Sequence, residues 1–317
     1  MTGATKGIGR VAVERVVAGA PDARLVLLGR GPATTALAAE LSAGGAQVSS
    51  IDADLLSLRS VRHAAEQVRA RLDEGELPPL RTLVANAGAQ FTNDLTESAE
   101  GFEATFAVNV LANHVLVRHL QDRFAVPSRI VVTVSDTHFG DFRHNLGMVP
   151  APRWGAPETL ARVRAFPAPH TTAAGRTAYS TSKLAAIHLV HEYARRLPPG
   201  VDVVGYNPRF VPGTGLARDA GPAARFAMRS VLPLMTLTPF ATSRTTAGRH
   251  LADLALGRIE APSGSYVDHA KVARSSDESY DPARERELWD AVERLTTPRQ
   301  GLPPSGRARG RHPRRRA

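Results

Sequence analysis

Tyr179 and Lys183 stand four positions apart in the run Tyr179-Ser180-Thr181-Ser182-Lys183, and a helix of 3.6 residues per turn carries such a pair on one face. A lysine ammonium next to a phenol favours the phenolate. The expected result is a tyrosine pKa drawn down towards neutrality, where the hydroxyl can both give and accept a proton. Of the 40 Lys and Arg residues only Lys6, Lys183 and Lys271 are Lys, so Lys183 reads as a compact ammonium used where the chain elsewhere uses the guanidinium fork of Arg. Chance pairing is the bland alternative for any lone motif of this kind, and the rest of the sequence decides between them.

Residues 2–9, Thr2-Gly3-Ala4-Thr5-Lys6-Gly7-Ile8-Gly9, run straight into residues 10–17 with the apolar spacing of a helix. Glycines ahead of a helix let backbone amides approach a pyrophosphate at the positive end of the helix dipole. The spacing Gly-x-x-x-Gly-x-Gly is a variant of the dinucleotide fingerprint, which calls for a buried strand in front of it. Only Met1 precedes Thr2, so the expectation is a sheet whose first, central strand is missing.

Strands and helices then alternate. A short apolar strand over residues 24–28 ends at Gly29-Arg30, the place where a carboxylate would hold the ribose hydroxyls of NAD and an Arg the 2′-phosphate of NADP. Arg30, with Lys6 as a second cation, favours NADP over NAD. Further strands are predicted over residues 47–51, running into Asp54 and Leu55, over 83–85, ending in Asn86-Ala87-Gly88, over 129–134, ending in Ser135-Asp136, over 201–206 and over 264–267. Helices are predicted over residues 33–42, 58–72 and 98–124, through Tyr179 to about residue 196, and over 243–256 and 282–295. Asp54 is placed to accept from an adenine amino group. Asn109 is a polar residue in an apolar helical stretch, where it either satisfies backbone or holds a water relay. Residues 139–176, rich in Pro and aromatics and without a clear period, are long for a structureless loop and suggest a lid-like insertion. An apolar segment over residues 226–240 could close the pocket from the other side.

This pattern predicts an α/β fold, a doubly wound parallel sheet in one domain over residues 1–297, with ligands at the carboxyl ends of the strands. The 317 residues contain no Cys, which removes disulfides and thiol chemistry, and 43% hydrophobic content is ample for a core. No apolar run is long enough to span a membrane. The chain opens without a basic-then-apolar leader, and a cytoplasmic location is the expectation. The net charge of +10 would suggest nucleic acid, but seven arginines lie among the last nineteen residues without an acid, which leaves the body near +3. Residues 298–317 therefore read as a disordered, solvated Arg-rich tail, and no specific nucleic-acid partner is expected.

With these motifs in this order, residues 2–296 resemble the short-chain dehydrogenase/reductase family, in particular its retinol-dehydrogenase-like and protochlorophyllide-reductase-like branch. The resemblance implies NADP-dependent hydride transfer to or from a carbonyl or alcohol on a hydrophobic small molecule, without a metal and with an oligomer allowed. It implies that Tyr179 is the general acid/base, that Lys183 lowers its pKa and binds the nicotinamide ribose, that Ser135 orients the substrate oxygen, and that Asn109 holds a water. Gly3, Thr5, Lys6, Gly7, Ile8 and Gly9 would surround the pyrophosphate, with Arg30, Asp54, Leu55, Asn86, Ala87 and Gly88 along the adenosine half and Pro208 and Thr214 near the carboxamide. Three features depart from the family pattern: the absent first strand, Arg209 where a Gly follows Pro208, and Thr214 one position late. They leave a catalytically inactive dinucleotide-binding relative as the second reading.

Overall fold

Runs of Val, Leu, Ile and Ala bounded by turn residues form strands β1 (Arg24–Gly29), β2 (Gln47–Asp52), β3 (Leu80–Ala85), β4 (Phe124–Thr133), β5 (Val201–Asn207), β6 (Tyr266–Asp268) and β7 (Lys271–Ala273). The protein is described by a computed structural model over residues 1–145, 147–212 and 241–298. Thr214, the apolar segment at residues 226–240 and the Arg-rich tail from residue 299 onward lie outside the described residues. Every ladder is parallel except β6–β7. Side chains alternate between the two faces, as a two-residue period requires. Leu83, Ala85, Ile130, Val132 and Val203 pack on one side, and Val84, Val131 and Val204 on the other.

Helices cover both faces, which is what a parallel sheet needs to keep its apolar strands from water. Helix α1 (Gly7–Gly19), α2 (Pro32–Ala43) and α6 (Arg244–Ala255) supply Ala12, Val13, Leu37, Ala38 and Leu251 to one side. Helices α3 (Leu58–Asp73), α4 (Ala104–Leu120), α5 (Thr172–Arg196) and α7 (Pro282–Thr296) supply the other. Side-chain caps start several of them: Ser57 accepts from Ser60 N at 3.2 Å, Thr171 from Ala174 N at 3.3 Å and Ser243 from Thr246 N at 3.1 Å. Each satisfies an amide that the first helical turn leaves without a partner. Among the described residues no helix is long and apolar enough to cross a membrane.

The sheet is interrupted where the first strand is expected. Strands β1 and β2 form one ladder and β3 to β7 another, and Met1–Thr2 joins them. Leu28 N donates to Met1 O at 2.8 Å, the Met1 amino group to Val26 O at 2.7 Å, and Thr2 N to Val84 O at 3.0 Å. The two flanking strands are therefore tied at their carboxyl halves, instead of being left wholly without ladder partners.

Two other expectations change. The predicted helix over residues 98–124 starts at Ala104, because Gly101 takes φ +78° and Glu103 caps the following turn. It widens into a π turn at Ala107–Leu111, resumes at Ala112–Leu120, and gives way to strand from Phe124. The insertion at 139–176 is also largely built into the protein. Its second half buries Leu160, Ala161 and Phe166 in the main core and bonds to the segment before α4, through Arg164 N to Asp94 O at 2.9 Å and Glu103 N to Ala161 O at 2.9 Å. The insertion shows no period because its apolar residues fill gaps between other elements. In its first half, Phe142 stands 73% exposed.

Candidate active site

At the carboxyl end of the sheet the glycine turn is held by side chains from β3's exit. Gly3 and Gly7 take φ of +67° and +57°, a conformation that favours glycine. A Cβ on Gly9 would overlap the carbonyl oxygen of Gly3, and one on Gly3 would lie 2.9 Å from Asn86 Nδ2. Asn86 Nδ2 donates to Gly3 O at 3.2 Å, and Ala87 N donates to Thr2 Oγ1 at 3.0 Å. The amides of Gly7, Ile8 and Gly9 precede the first intrahelical bond, Arg10 N to Lys6 O at 3.3 Å, and no acid sits in this first turn. Thr5 flanks the turn half-buried, and Lys6 is exposed beside it. A tight turn pressed against a helix start with free amides suits a diphosphate.

From Asn86 a chain of contacts leads to the tyrosine. Asn86 Oδ1 accepts from Thr133 Oγ1 at 3.3 Å, and the carbonyl of Thr133 accepts from Lys183 Nζ at 2.9 Å. Lys183 Nζ lies 5.6 Å from the centre of the Tyr179 ring. The Ser135 hydroxyl lies close enough to the Tyr179 phenol to act on it. Residues from β3, β4 and α5, nearly one hundred positions apart in sequence, thus meet in one place.

The electrostatics differ from the sequence expectation. Burial pushes the Tyr179 phenol well above its usual value, and the nearby Ser135 hydroxyl only partly opposes this. Lys183 does not pull it down, because its ammonium is directed to the Thr133 carbonyl and is itself desolvated, with its pKa lowered to about 8. Taking either charged form out of water costs more than a contact at this distance returns.

Asn109 sits in the π turn, 2% exposed. Its Oδ1 accepts from Ala89 N at 2.9 Å, and its Nδ2 donates to Ala89 O at 2.9 Å and to Ser182 Oγ at 3.0 Å. The side chain is therefore committed to fixing the exit from β3 and the turn of α5 between Tyr179 and Lys183. The backbone-satisfying role describes this geometry better than a side chain free to hold a water. Gly88 lies against it, since a Cβ there would be 3.4 Å from both Asn109 Oδ1 and Lys183 Nζ.

Ser135 is fixed by groups that sequence reading passed over. His138 accepts from Ser276 N at its Nε2, 3.1 Å away. Its proton therefore lies on Nδ1, which donates to the carbonyl of Ser135. Burial holds this imidazole neutral, its pKa lowered to about 4. Thr137 donates to Ser135 Oγ from both N, at 3.3 Å, and Oγ1, at 3.2 Å. The sequence clue was proximity alone, Asp136-Thr137-His138 following Ser135.

On the adenosine side Arg30 and Asp54 meet each other at 3.6 Å, both well exposed. Exposed pairs are worth little, so Arg30 can exchange this partner for a phosphate at small cost. Asp54 Oδ1 also accepts from Leu56 N at 3.1 Å, and Leu55 packs against the core. Beyond β5, Pro208 is buried and Arg209 takes φ +61°. The backbone there has the conformation that favours glycine, although the chain carries Arg. Its guanidinium pairs with Asp268 at 2.7 Å. A separate cavity of about 430 Å³ lined by His191, Arg195, Tyr280 and Glu285 opens further along α5 and contains none of these residues.

A doubly wound sheet with a glycine turn at its first helix and a Ser–Tyr–Lys cluster beside it defines a dinucleotide-binding oxidoreductase. The short chain dehydrogenase family model matches residues 1–144. A protein from Streptomyces sp. (strain C5), provisionally designated a daunorubicin C-13 ketoreductase, is 32% identical over 285 residues, covering 87% of this chain and 90% of that one. Protochlorophyllide reductase A of Oryza sativa is 27% identical over 93% of this chain and 79% of its own. The solved structure of a short-chain dehydrogenase from Burkholderia cenocepacia in complex with NADP superposes with a TM-score of 0.59 at 22% identity, over 84% of this chain and 93% of the other, a likeness that speaks for the fold. The chain belongs to the short-chain dehydrogenase/reductase family and is an oxidoreductase of that family.

Proposed function

We propose that this protein transfers hydride between NADP(H) and a carbonyl or alcohol borne by a hydrophobic small molecule, with Tyr179 as general acid/base. The observation that carries this reading is the series of hydrogen bonds from the glycine turn through Asn86 and Thr133 to Lys183, with Tyr179 and the Ser135 hydroxyl beside it. On this reading a diphosphate cradle and a proton donor share one wall. NADP(H), which as NADPH supplies the hydride and as NADP+ accepts it, would be held by the amides of Gly7, Ile8 and Gly9, by Lys6 and Arg30 at the 2′-phosphate, by Asn86, Ala87 and Gly88 along the adenosine half, and by Lys183 at the ribose hydroxyls. A fold neighbour solved with NADP and a relative designated a ketoreductase support the same assignment.

In the reducing direction the substrate oxygen accepts from Tyr179 and Ser135, which fixes the carbonyl for attack. As charge builds on that oxygen the Tyr179 proton moves to it. The buried phenol, costly to ionise beforehand, keeps its proton until the oxygen demands it. In the first half of the insertion Phe142 offers an apolar surface to such a substrate.

The test is oxidation of NADPH and of NADH with a panel of hydrophobic aldehydes and ketones. Turnover with NADPH, weakened on Arg30→Asp in favour of NADH, is the expected result. Binding of NADPH, seen as a shift in its fluorescence, without turnover of any carbonyl would instead favour the inactive relative suggested by Arg209.

A further inference from the structure

Ser135 Oγ makes a long contact of 3.4 Å to Asp136 Oδ1 as donor, and it accepts from Thr137 N at 3.3 Å and Oγ1 at 3.2 Å. Asp136 is not matched by a cation of its own. The cations whose charge reaches it are shared: Arg209 is paired with Asp268 at 2.7 Å, and His144 with Asp141 at 2.8 Å. Among the described residues Asp136 Oδ2 has no hydrogen-bond or ion-pair partner, and it is not sealed from the surrounding space. The site therefore holds a carboxylate beside the group that would orient the substrate oxygen, with one oxygen unclaimed and with Asp268 as a second negative charge nearby.

A covering apolar substrate would strip water from this carboxylate and leave it uncompensated, which is costly. It would also find the Ser135 proton drawn towards Asp136. A hydroxyl on the carbon next to the carbonyl changes both terms. Vicinal oxygens lie about one hydrogen-bond length apart, so a substrate oxygen held by Tyr179 and Ser135 brings the neighbouring hydroxyl to the Asp136 carboxylate. The hydroxyl then donates to Asp136 in place of Ser135, and the Ser135 proton is released to the carbonyl oxygen. Resting on the reductase assignment above, we propose that Asp136 selects substrates carrying a hydroxyl on the carbon adjacent to the reacting carbonyl. A site built to hydrogen-bond a substrate hydroxyl discriminates strongly against the analogue that lacks it.

The experiment compares kcat/KM for benzoin and deoxybenzoin, which differ by that hydroxyl, in the wild-type protein, in Asp136→Ala and in the isosteric Asp136→Asn, with NADPH affinity of each variant confirming its fold. The ratio in Asp136→Ala gives the intrinsic difference between the ketones. The expected result is a wild-type ratio about tenfold or more above it, with Asp136→Asn between, because its amide oxygen can still accept. A wild-type ratio equal to that of Asp136→Ala while both ketones turn over overturns the role of Asp136 and leaves the reductase assignment standing. Absence of turnover with either ketone and with every carbonyl of the wider panel overturns both.

Discussion

Tyr179 is a phenol made hard to ionise by burial, next to an ammonium made easy to deprotonate by the same burial. The Tyr-x-x-x-Lys spacing was legible in the sequence because helical geometry fixes it. The direction of the tyrosine shift was not, because desolvation depends on β3, β4 and α4 closing over the pair. In the folded protein Lys183 passes from ammonium to amine near pH 8 instead of at its ordinary 10.5. A donor to ribose hydroxyls must be protonated, so NADPH affinity should fall as pH rises from 7 to 9 in the wild type and be flat in Lys183→Met, measured by fluorescence titration. A Lys183→Met profile that keeps the wild-type slope would remove this lysine from the cofactor site. Arg209 gives a second test at this scale. With both side chains truncated, Arg209→Gly should be more stable than Arg209→Ala by about 1 kcal/mol, since only the alanine pays for the left-handed backbone. Equal urea midpoints would show that the φ of +61° costs nothing there.

Among the elements, α4 departs furthest from its sequence reading. Apolar spacing showed that a helix runs through Asn109, but its start depends on Glu103, whose two carboxylate oxygens accept from Thr105 N at 2.8 Å and Phe106 N at 2.6 Å. Periodicity says nothing about a π turn, which follows from Asn109 and Asn113 settling their bonds with Ala89, Ser182 and the helix backbone. Burial raises the Glu103 carboxyl to about 7, and its cap bonds only partly oppose this. Between the unfolded value of 4.5 and about 7 the folded protein keeps a proton that the unfolded chain has lost. Stability therefore falls as pH rises through that window, by on the order of a few kcal/mol. Urea unfolding at pH 5 and pH 8 should show this loss in the wild type, and Glu103→Gln should reduce the difference between the two. An undiminished difference in the variant would assign the pH dependence to other groups.

For the whole molecule, the alternation of strands and helices was enough to place the sheet, its two helical layers and the edge at which the site residues gather. The insertion was less legible, because residues that plug a core from outside its regular elements follow no period. The break in the sheet leaves β1 and β2 tied to β3 through Met1 and Thr2. Native-state hydrogen exchange should show the β1–β2 amides opening at lower free energy than those of β4 and β5; uniform protection across all four strands would show that the helical layers carry the join. All the layers converge on one hydroxyl, and single-turnover reduction of a ketone by saturating NADPH in Tyr179→Phe tests that most directly. A rate reduced by a factor on the order of 10²–10⁴, with NADPH affinity unchanged, is the result expected of a general acid, whereas a rate equal to that of the wild type would contradict the proposed role of Tyr179.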